Sequence, residues 1–570
     1  MKQIIGILFL SLSFVTFGQQ SSNQTLNYSD LIKVYKELAK QHSEIELYAM
    51  GESDYGLPIY LCIVNGAQDS IKSFEKARNS TTLFINNAIH PGEPDGVNAC
   101  LGILNDWITN GKQTAAAPVL AIIPAYNVGG MLVRSGTSRA NQNGPEEYGF
   151  RGNAQNLDLN RDFVKMDSKN MFTFAKIYHA LEPDIFIDTH VSNGADYQYV
   201  VSYIASVKER MAPGLSELMH QKMLPFLKSQ FKTKEIDLIP YVDLKDETPE
   251  SGIQVFNDLP RYSMGYAAMM NSISFTIETH MLKPFDERVA ATKEFIIQTI
   301  QWATANSVEI EKERENALKW ERDLKEFEFN FQLTEKKDSI LFKGFEFSRP
   351  ISEVTGLPRL KYHQDRPYEK YVPYYKTYVT KSKSHIPDFF ILGGQNEEVV
   401  KRLKANQFKF EVLTKDTVIQ LGRVRIDNYE TVKKPYEGHY LHSDVSSNIS
   451  LSAVKFKKGD ILIPAQQRNK RFLVSLMESK SEDSYFNWNF FDSYIQQKEY
   501  FSPYVFEDQA VEILKNNLPL KEEFEAKKKR DPEFAKSEWN QLYFIYSRSK
   551  YFEPSLNLLP IFEGMYKGGE

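Results

Sequence analysis

The segment TLFINNAIHPGEPDG, residues 82–96, joins an apolar run to a histidine and a glutamate three residues apart. The run is short and continuous and ends at Pro-Gly, which is typical of a strand buried on both faces. The next segment, DGVNACLGILNDWITNG at 95–111, repeats apolar residues at helical spacing and stops at Gly111. A strand followed at once by a helix indicates an α/β fold.

The same alternation recurs along the first 300 residues or so. Short apolar runs at 117–127, 183–190 and 271–280 predict strands, and the segment 169–181 predicts a helix between two of them. We therefore expect an α/β catalytic domain over 19–305, with a mixed, mostly parallel sheet flanked by helices. The charged segment 306–325 predicts a helical linker. We expect residues 326–570 to form an accessory region of mixed α and β structure, β-rich to about 470 and mixed or helical after it.

Composition excludes several classes of protein. The 570 residues carry a net charge of −5 with both signs spread evenly, so no broad basic face for nucleic acid is indicated. The basic run KKKR at 527–530 is typical of a solvated helix face. Cys62 and Cys100 are the two cysteines, which rules out a disulfide framework and a four-cysteine zinc site. Both lie in apolar segments, which leaves either one bridge between them or two buried thiols, and we favour buried thiols.

The N-terminal stretch MKQIIGILFLSLSFVTFGQQ predicts a signal peptide over residues 1–18. It has one lysine, an apolar run too short to span a bilayer, and small residues before Gln19. No later segment has about 18 uninterrupted apolar residues, so no membrane span is predicted. We expect an exported protein, periplasmic or extracellular.

Three histidines, His90, His190 and His280, end predicted strands. Catalytic groups of α/β sheets gather at the carboxyl ends of strands. Catalytic zinc takes three protein ligands and leaves one position open, and His90, Glu93 and His190 together offer such a set. His280 is open to two interpretations, an alternative ligand or a structural residue, and we favour the second. The H-x-x-E pair alone is a weak signal.

Four motifs are more specific together. HPGEP at 90–94, NLDLNRDF at 156–163, DTH at 188–190 and FTIETH at 275–280 resemble, in order and in strand context, the zinc carboxypeptidase family of carboxypeptidases A and B. The resemblance covers about residues 27–300. It implies one Zn²⁺ ion held by His90, Glu93 and His190, and it implies Glu278 as the general base.

The resemblance also implies roles in substrate binding. Asn160 and Arg161 would hold the terminal carboxylate of a peptide, because a planar guanidinium engages both carboxylate oxygens. Asp158 matches the aspartate that orients a zinc-bound histidine, and we assign it to His90.

Two implied roles are less well placed. Arg139 best matches the arginine that stabilises the oxyanion, with Arg134 and Arg151 as competitors. The family has a tyrosine that covers the substrate, and the candidates are Tyr262, which we assign to substrate binding, and Tyr266. Both tyrosines lie closer to Glu278 in the sequence than the family pattern suggests.

We therefore expect a zinc metallocarboxypeptidase that hydrolyses the C-terminal bond of peptides with a free terminal carboxylate. One alternative is a zinc amidase that acts on cell-wall peptides or acylated amino acids. Another is a catalytically silent protein that binds peptides or glycans. The aromatic stretch at 485–506 would suit the latter, but aromatic residues more often form a core.

Overall fold

The computed structural model describes residues 23–110 and 117–564. These residues divide into two units, one with 23–110, 117–324 and 328–383, the other with 325–327 and 384–564. The expected signal peptide, residues 1–18, lies outside the described residues. Among the helices described, none is both long enough and apolar enough to cross a membrane.

The first part of the chain alternates strands and helices. Its strands are β1 (Ile45–Glu52), β2 (Pro58–Val64), β3 (Thr82–Asn86), β4 (Val119–Ile123), β5 (Ile185–Ser192), β6 (Val201–Ala205), β7 (Leu238–Pro240), β8 (Asp243–Leu244), β9 (Ile253–Gln254), β10 (Ile273–His280), β11 (Glu326–Leu333), β12 (Lys337–Ser348), β13 (Lys361–Tyr375) and β14 (Tyr378–His385). Its helices are α1 (Tyr28–Gln41), α2 (Ser70–Arg78), α3 (Asp95–Asn110), α4 (Val128–Leu132), α5 (Lys169–Leu181), α6 (Pro213–Glu217), α7 (Leu224–Thr233), α8 (Ser263–Met269), α9 (Phe285–Ala305) and α10 (Ser307–Asp323).

An eight-stranded mixed sheet forms the centre of the first unit. The strand order is β1-β2-β4-β3-β5-β10-β6-β7. Strands β4, β3, β5 and β10 pair parallel with one another. Strands β1 and β2 pair antiparallel, β2 is antiparallel to β4, and β6 is antiparallel to β10 but parallel to β7. Every residue of β3, β4 and β5 is buried, as continuous apolar runs predict. The predicted mixed sheet flanked by helices is confirmed.

Helix α3 begins immediately after the HPGEP turn, and its start is tied to two other elements. The buried Asp95 carboxylate accepts a hydrogen bond from Thr279 on β10 and pairs at 3.0 Å with Arg288 on α9. An acidic residue in the first turn also suits the positive end of the helix dipole. These contacts fix the turn between the sheet and two helices.

The two cysteines are free and buried, as the sequence analysis expected. Cys62 lies in β2 and Cys100 in α3, and the amide of Asn87 donates a hydrogen bond to the Cys100 sulfur at 3.4 Å. Burial raises the pKa of both thiols, that of Cys100 to about 12.

The first unit contains a second sheet and ends at residue 383, whereas the sequence analysis expected the catalytic domain to end at residue 305. The order of this sheet is β12-β13-β9-β8, and β13 pairs with β9 at Tyr374↔Ile253 and Tyr375↔Gln254. The long hairpin of β12 and β13 also bridges Tyr197, in the loop after β5, through Gly344. Residues 328–383 were expected in the accessory region, but this strand pairing places them in the first unit.

The charged segment that was expected to be a linker is helix α10, and it lies within the first unit. Arg314 pairs with Asp184 at 2.8 Å, and Glu321 accepts a hydrogen bond from Asn271 at 3.0 Å. Because Ile310 is also fully buried, the helix has an inner face despite its charge.

The second unit contains a six-stranded sheet and a group of helices. The sheet order is β16-β19-β15-β20-β17-β18. The strands are β15 (Phe389–Leu392), β16 (Glu411–Val412), β17 (Thr417–Thr431), β18 (His442–Phe456), β19 (Ile461–Pro464) and β20 (Leu558–Gly564). The helices are α11 (Glu397–Ala405), α12 (Lys470–Met477), α13 (Pro503–Asn516), α14 (Leu518–Arg530), α15 (Pro532–Ala535) and α16 (Glu538–Tyr546).

The aromatic stretch at 485–506 is mostly core. Tyr485, Phe486, Trp488 and Phe491 are buried, whereas Tyr504 near the end of the stretch is exposed. The indole of Trp488 donates a hydrogen bond to buried Asp483. The run KKKR forms the exposed last turn of α14, as predicted.

Candidate active site

A cavity of about 580 Å³ opens beside the carboxyl ends of β3, β5 and β10. Its walls include His90, Glu93, His190 and Glu278. The sheet edge therefore gathers side chains from three separate segments of the chain into one cavity, as expected for an α/β fold.

The HPGEP turn places the first two of these residues. Strand β3 ends at Asn86, so His90 lies four residues beyond the strand rather than at its end, where the sequence analysis placed it. The amide of Glu93 donates to the carbonyl of His90 at 2.8 Å, which closes the turn. Gly92 must be small, because a Cβ atom there would lie 2.9 Å from Cδ of Arg139. The turn thus bends His90 and Glu93 back toward the sheet edge.

His90, Glu93 and His190 form one group whose potential ligand atoms all lie within 4.8 Å of one another. Nδ1 of His90 lies 3.3 Å from one Glu93 oxygen, and Nδ1 of His190 lies 3.0 Å from the other. All three residues are buried. The three residues predicted from separate parts of the sequence are therefore brought together.

Aspartates hold the opposite side of each imidazole. Nε2 of His90 lies 2.9 Å from Asp158, and Nε2 of His190 lies 3.1 Å from Asp188. Each contact favours a proton on Nε2 and directs the Nδ1 atom toward Glu93. Asp158 contacts His90, to which the sequence analysis assigned it. Asp188 was missed, although its position two residues before His190 on one strand places both side chains on the same face.

The charged side chains around this group shift one another's pKa values. Burial alone would raise the pKa of Glu93, but the charges of Arg139 and His90 hold it well below its usual range. Burial lowers the pKa of His190, but Asp188 and Glu93 raise it by more. The pKa of His190 therefore lies well above its usual value. Glu93 is therefore ionised at neutral pH and available as an anionic ligand.

Glu278 lies directly across from this group. The parallel register of β10 and β5 pairs Glu278 with His190. Burial raises the pKa of Glu278 to about 8, and the neighbouring Glu93 charge adds to the increase while His190 opposes it. A carboxyl group with a pKa near neutrality is suited to both accept and donate a proton.

Two arginines reach the metal-ligand group in different ways. Arg139 donates to Glu93 at 2.5 Å and to the carbonyl of Val191 at 2.7 Å, so its guanidinium is held at both ends. Arg151 pairs with Asp158 at 2.9 Å and lies 3.3 Å from Nδ1 of His90, and 45% of its side chain is exposed. Both arginines line the cavity.

The predicted carboxylate-binding pair also lines the cavity. The Arg161 guanidinium lies 4.7 Å from the ring centre of Tyr262 and donates to the carbonyl of Asn160 at 2.9 Å. The Asn160 side-chain oxygen accepts from the amide of Ser263 at 3.0 Å, which fixes the amide plane. Asn160, Arg161 and Tyr262 thus lie together on one side of the cavity.

Two residues that the sequence analysis considered lie outside the cavity. Arg134 donates to Thr25 and Leu26 and does not line the cavity. Tyr266 is fully buried in α8 and contacts His179.

His280 has a structural role, because both of its ring nitrogens contact the backbone. Its Nε2 lies 2.8 Å from the carbonyl of Ala195, and its Nδ1 accepts from the amide of Leu282 at 3.1 Å. Burial lowers its pKa to about 4, so the ring is neutral. Both ring nitrogens are used, which leaves neither for a metal ion.

Three aromatic residues that line the cavity were missed, Phe150, Tyr241 and Phe256. Tyr241 and Phe256 belong to the long segment between β7 and α8, where no periodic pattern identifies inward-facing positions. Their rings lie 6.4 Å apart, and Phe256 lies 5.2 Å from Tyr262. Burial and the nearby Glu278 carboxylate raise the pKa of Tyr241.

Comparison with known proteins agrees with this geometry. A family model described as zinc carboxypeptidase matches one continuous segment, which contains His90, Glu93, Asp158 and His190. Residues 31–197 resemble the zinc carboxypeptidases. The resemblance predicted from the sequence motifs is thus confirmed over this segment. Glu278 lies outside it.

Individual similar proteins are carboxypeptidases by name. Carboxypeptidase SOL1 of Arabidopsis thaliana is 28% identical over 141 residues, which is 24% of this chain and 24% of that protein. The chain therefore spans about a quarter of that relative. A metallo-carboxypeptidase structure from Burkholderia cenocepacia is 17% identical with a TM-score of 0.34, over 49% of this chain and 68% of that one. Carboxypeptidase A from Helicoverpa armigera is 14% identical with a TM-score of 0.38, over 50% and 75%.

The residues present fit the zinc ion that the zinc carboxypeptidase family implies. Two imidazole Nδ1 atoms and one ionised carboxylate converge, and an aspartate holds each Nε2 atom. Nitrogen and carboxylate donors in a three-residue set are those of a catalytic zinc site. The histidine–aspartate contacts supply the outer hydrogen bonds that such ligands need.

Proposed function

We propose that this protein is a zinc-dependent carboxypeptidase that removes the C-terminal residue of peptides. The observation that carries the proposal is that one cavity contains the His90, Glu93 and His190 group, the Glu278 carboxyl and the Arg161 guanidinium. Zinc held by the first three residues would polarise the scissile carbonyl and activate a water molecule.

Substrate orientation follows from the cationic side of the cavity. Arg161 binds the terminal carboxylate, and the fixed amide of Asn160 adds a donor. Tyr262 lies against the Arg161 guanidinium and limits its rotation. A substrate held in this way presents its last peptide bond to the metal-ligand group, which makes the reaction an exopeptidase reaction.

Glu278 moves the proton. It takes a proton from the attacking water and gives it to the nitrogen of the leaving amino acid. Burial raises the pKa of Glu278, which makes its carboxylate a stronger base toward the proton of the attacking water.

Our sequence analysis assigned Arg139 to stabilise the negative oxygen that develops on the scissile carbonyl, with Arg151 as a competitor. The guanidinium of Arg139 donates to Glu93 and to the Val191 carbonyl, and its buried Nε has no partner among the described residues. All three guanidinium nitrogens of Arg151 contact Asp158, His90 or Glu93. Both arginines line the cavity, and we keep Arg139 for this role.

The variant Glu278→Gln tests the proposal. It should bind zinc as the unchanged protein does and lose at least about a hundredfold in turnover of a blocked dipeptide with a free terminal carboxylate. Glu287→Gln, an exposed position on α9, is the matched control and should keep full activity. Normal turnover by Glu278→Gln, with zinc content verified by elemental analysis, would reject Glu278 as the base.

The same substrates distinguish the amidase alternative. A carboxypeptidase requires the free terminal carboxylate that Arg161 binds, so capping it as an amide should abolish hydrolysis. An amidase would cleave both forms equally. The silent binding protein of our third interpretation would cleave neither.

We also propose, from the sequence alone, that the protein is exported to the periplasm or beyond after removal of residues 1–18. Cell fractionation and the N-terminal sequence of the mature protein test this. A mature chain that begins at Gln19 supports export, and an intact N-terminus in the cytoplasm contradicts it.

A further inference from the structure

A second cavity of about 580 Å³ lies beside the candidate active site. Ile204, Tyr241 and Phe256 line both cavities and form a shared wall. The hairpin of β12 and β13 contributes Ile340 and Tyr374 to the second cavity. This cavity is therefore bounded partly by the α/β fold and partly by the hairpin that extends the first unit.

The second cavity is cationic. Its lining includes three lysines, Lys208, Lys228 and Lys376, and one acidic residue, Glu209. Lys228 and Lys376 line the same cavity; burial lowers the pKa of Lys228, and the charge of Lys376 lowers it further. Lys376 pairs with Asp338 at 2.6 Å.

Lys228 has no comparable neutralising partner. Its ammonium lies 5.8 Å from the ring centre of Tyr203, and the described residues offer it no carboxylate partner. An uncompensated cation in a partly enclosed cavity is stabilised by an anionic ligand.

The first cavity provides a path toward these lysines. Arg161 and Asn160 fix the terminal carboxylate on one side, and Ile204, Met264 and Thr276 form a mainly apolar wall of the same cavity. A side chain of the terminal residue that follows this wall reaches Ile204, which also lines the second cavity. A substrate side chain with an aliphatic part and an anionic end would match this order, because the apolar wall comes first and the lysines follow.

We propose that the second cavity binds an anionic side chain of the substrate, so that the protein prefers peptides ending in a long acidic residue such as glutamate. This inference rests on the proposed carboxypeptidase function. It assigns Lys228 as the residue that determines specificity and Lys376 as a weaker contributor, because Asp338 already neutralises part of its charge.

Kinetics on three blocked dipeptides test the inference. The zinc-loaded protein is compared on substrates that end in glutamate, glutamine and leucine and are otherwise identical. We expect kcat/KM for glutamate to exceed that for glutamine by about tenfold or more, because a charged contact replaces a neutral one. Lys228→Gln should remove most of this ratio, and Lys228→Glu should shift the preference toward a terminal lysine. Lys232→Gln, on the same helix but outside both cavities, is the control and should keep the ratio.

Binding provides a readout that does not depend on turnover. Calorimetric titration of zinc-loaded Glu278→Gln with the glutamate and glutamine dipeptides should show the same preference, and adding Lys228→Gln should remove it. Thermal melting checks that each lysine variant is folded.

The outcomes separate the two proposals. Hydrolysis of all three substrates at equal rates, unchanged by Lys228→Gln, would overturn the acidic preference and leave the carboxypeptidase function intact. No hydrolysis of any substrate would overturn the proposed function. In that case equal binding of the two dipeptides would also overturn the inference, and a glutamate preference that requires Lys228 would support it.

Discussion

The variant Asp158→Asn tests how strongly the outer contacts support the zinc site. The Asp158 carboxylate accepts from Nε2 of His90 at 2.9 Å, from Arg151 at 2.9 Å and from the amide of Asn160 at 2.9 Å. Burial opposes ionisation, but His90, Arg151 and Arg161 hold the pKa of Asp158 well below its usual range. The carboxylate is therefore charged whenever zinc binds.

Asparagine keeps the shape of the side chain and removes its charge. One amide oxygen replaces two carboxylate oxygens, so His90 and Arg151 compete for one acceptor. The loss of such an outer contact weakens metal binding by about ten- to a hundredfold, or roughly 1.4–2.7 kcal/mol. We expect a loss in this range for zinc.

Competition with a zinc-binding dye at constant pH measures the affinity directly. Asp54→Asn is the matched control, since Asp54 also accepts hydrogen bonds, from Lys169 at 2.9 Å and Asn153 at 2.8 Å, but contacts neither histidine. If Asp158→Asn bound zinc as tightly as Asp54→Asn does, the carboxylate would not orient His90.

Three further predictions concern other parts of the molecule. Gly92→Ala should lower stability by about 1–3 kcal/mol in thermal melting, because its Cβ atom would meet the anchored Arg139 side chain. Burial and nearby Glu478 raise the pKa of Glu563 to about 7, so the folded state keeps a proton that the unfolded state loses and stability falls as pH rises to about 7. Glu563→Gln should therefore raise the free energy of unfolding by roughly 1–3 kcal/mol at pH 8 and leave it unchanged at pH 4, as urea titration measures. The buried Cys62 and Cys100 thiols should react with a disulfide reagent only after denaturation.

Each of these predictions has an outcome that contradicts it. An unchanged melting temperature for Gly92→Ala would mean that the turn opens to make room. Equal effects of Glu563→Gln at both pH values would mean that the carboxyl is not protonated in the fold. Fast reaction of either thiol in the native protein would mean that its surroundings open readily.

The sequence predicted the central fold because periodicity and motifs agreed there. The helix predicted over 169–181 is α5, with the same bounds, and the apolar run at 183–190 overlaps β5 from residue 185 onward. In these segments a buried face repeats at a regular interval, so local pattern and tertiary environment coincide.

The second sheet was not predictable in this way. Strands β8 and β9 have two residues each, too few to show a period, and β9 gains its partner β13 from more than a hundred residues later in the chain. Such a pairing depends on the folded α/β unit, which a local pattern does not describe. The unit boundary at 383 rather than 305 follows from this pairing.

The sequence predicted the candidate metal ligands of the site, but it did not identify all the other residues that line the cavity. His90, Glu93 and His190 were visible as motif residues, whereas Tyr241 and Phe256 lie in an irregular segment without a motif. The arginines illustrate a different limit. Three arginines lie near one another in sequence, and only their contacts show that Arg139 and Arg151 reach Glu93 whereas Arg134 contacts Thr25 and Leu26.

The pairing of β9 with β13 has a practical consequence for protein production. Phe342 of β12 and Val372 of β13 are buried against Tyr197 and Ile253 of the α/β part. Truncation at residue 305 would remove Phe342 and Val372 and expose the apolar side chains that they cover, and exposed apolar patches promote aggregation. The shortest soluble version of the protein should therefore retain the chain to residue 383, and a version cut at residue 305 should precipitate even though it keeps every predicted zinc ligand.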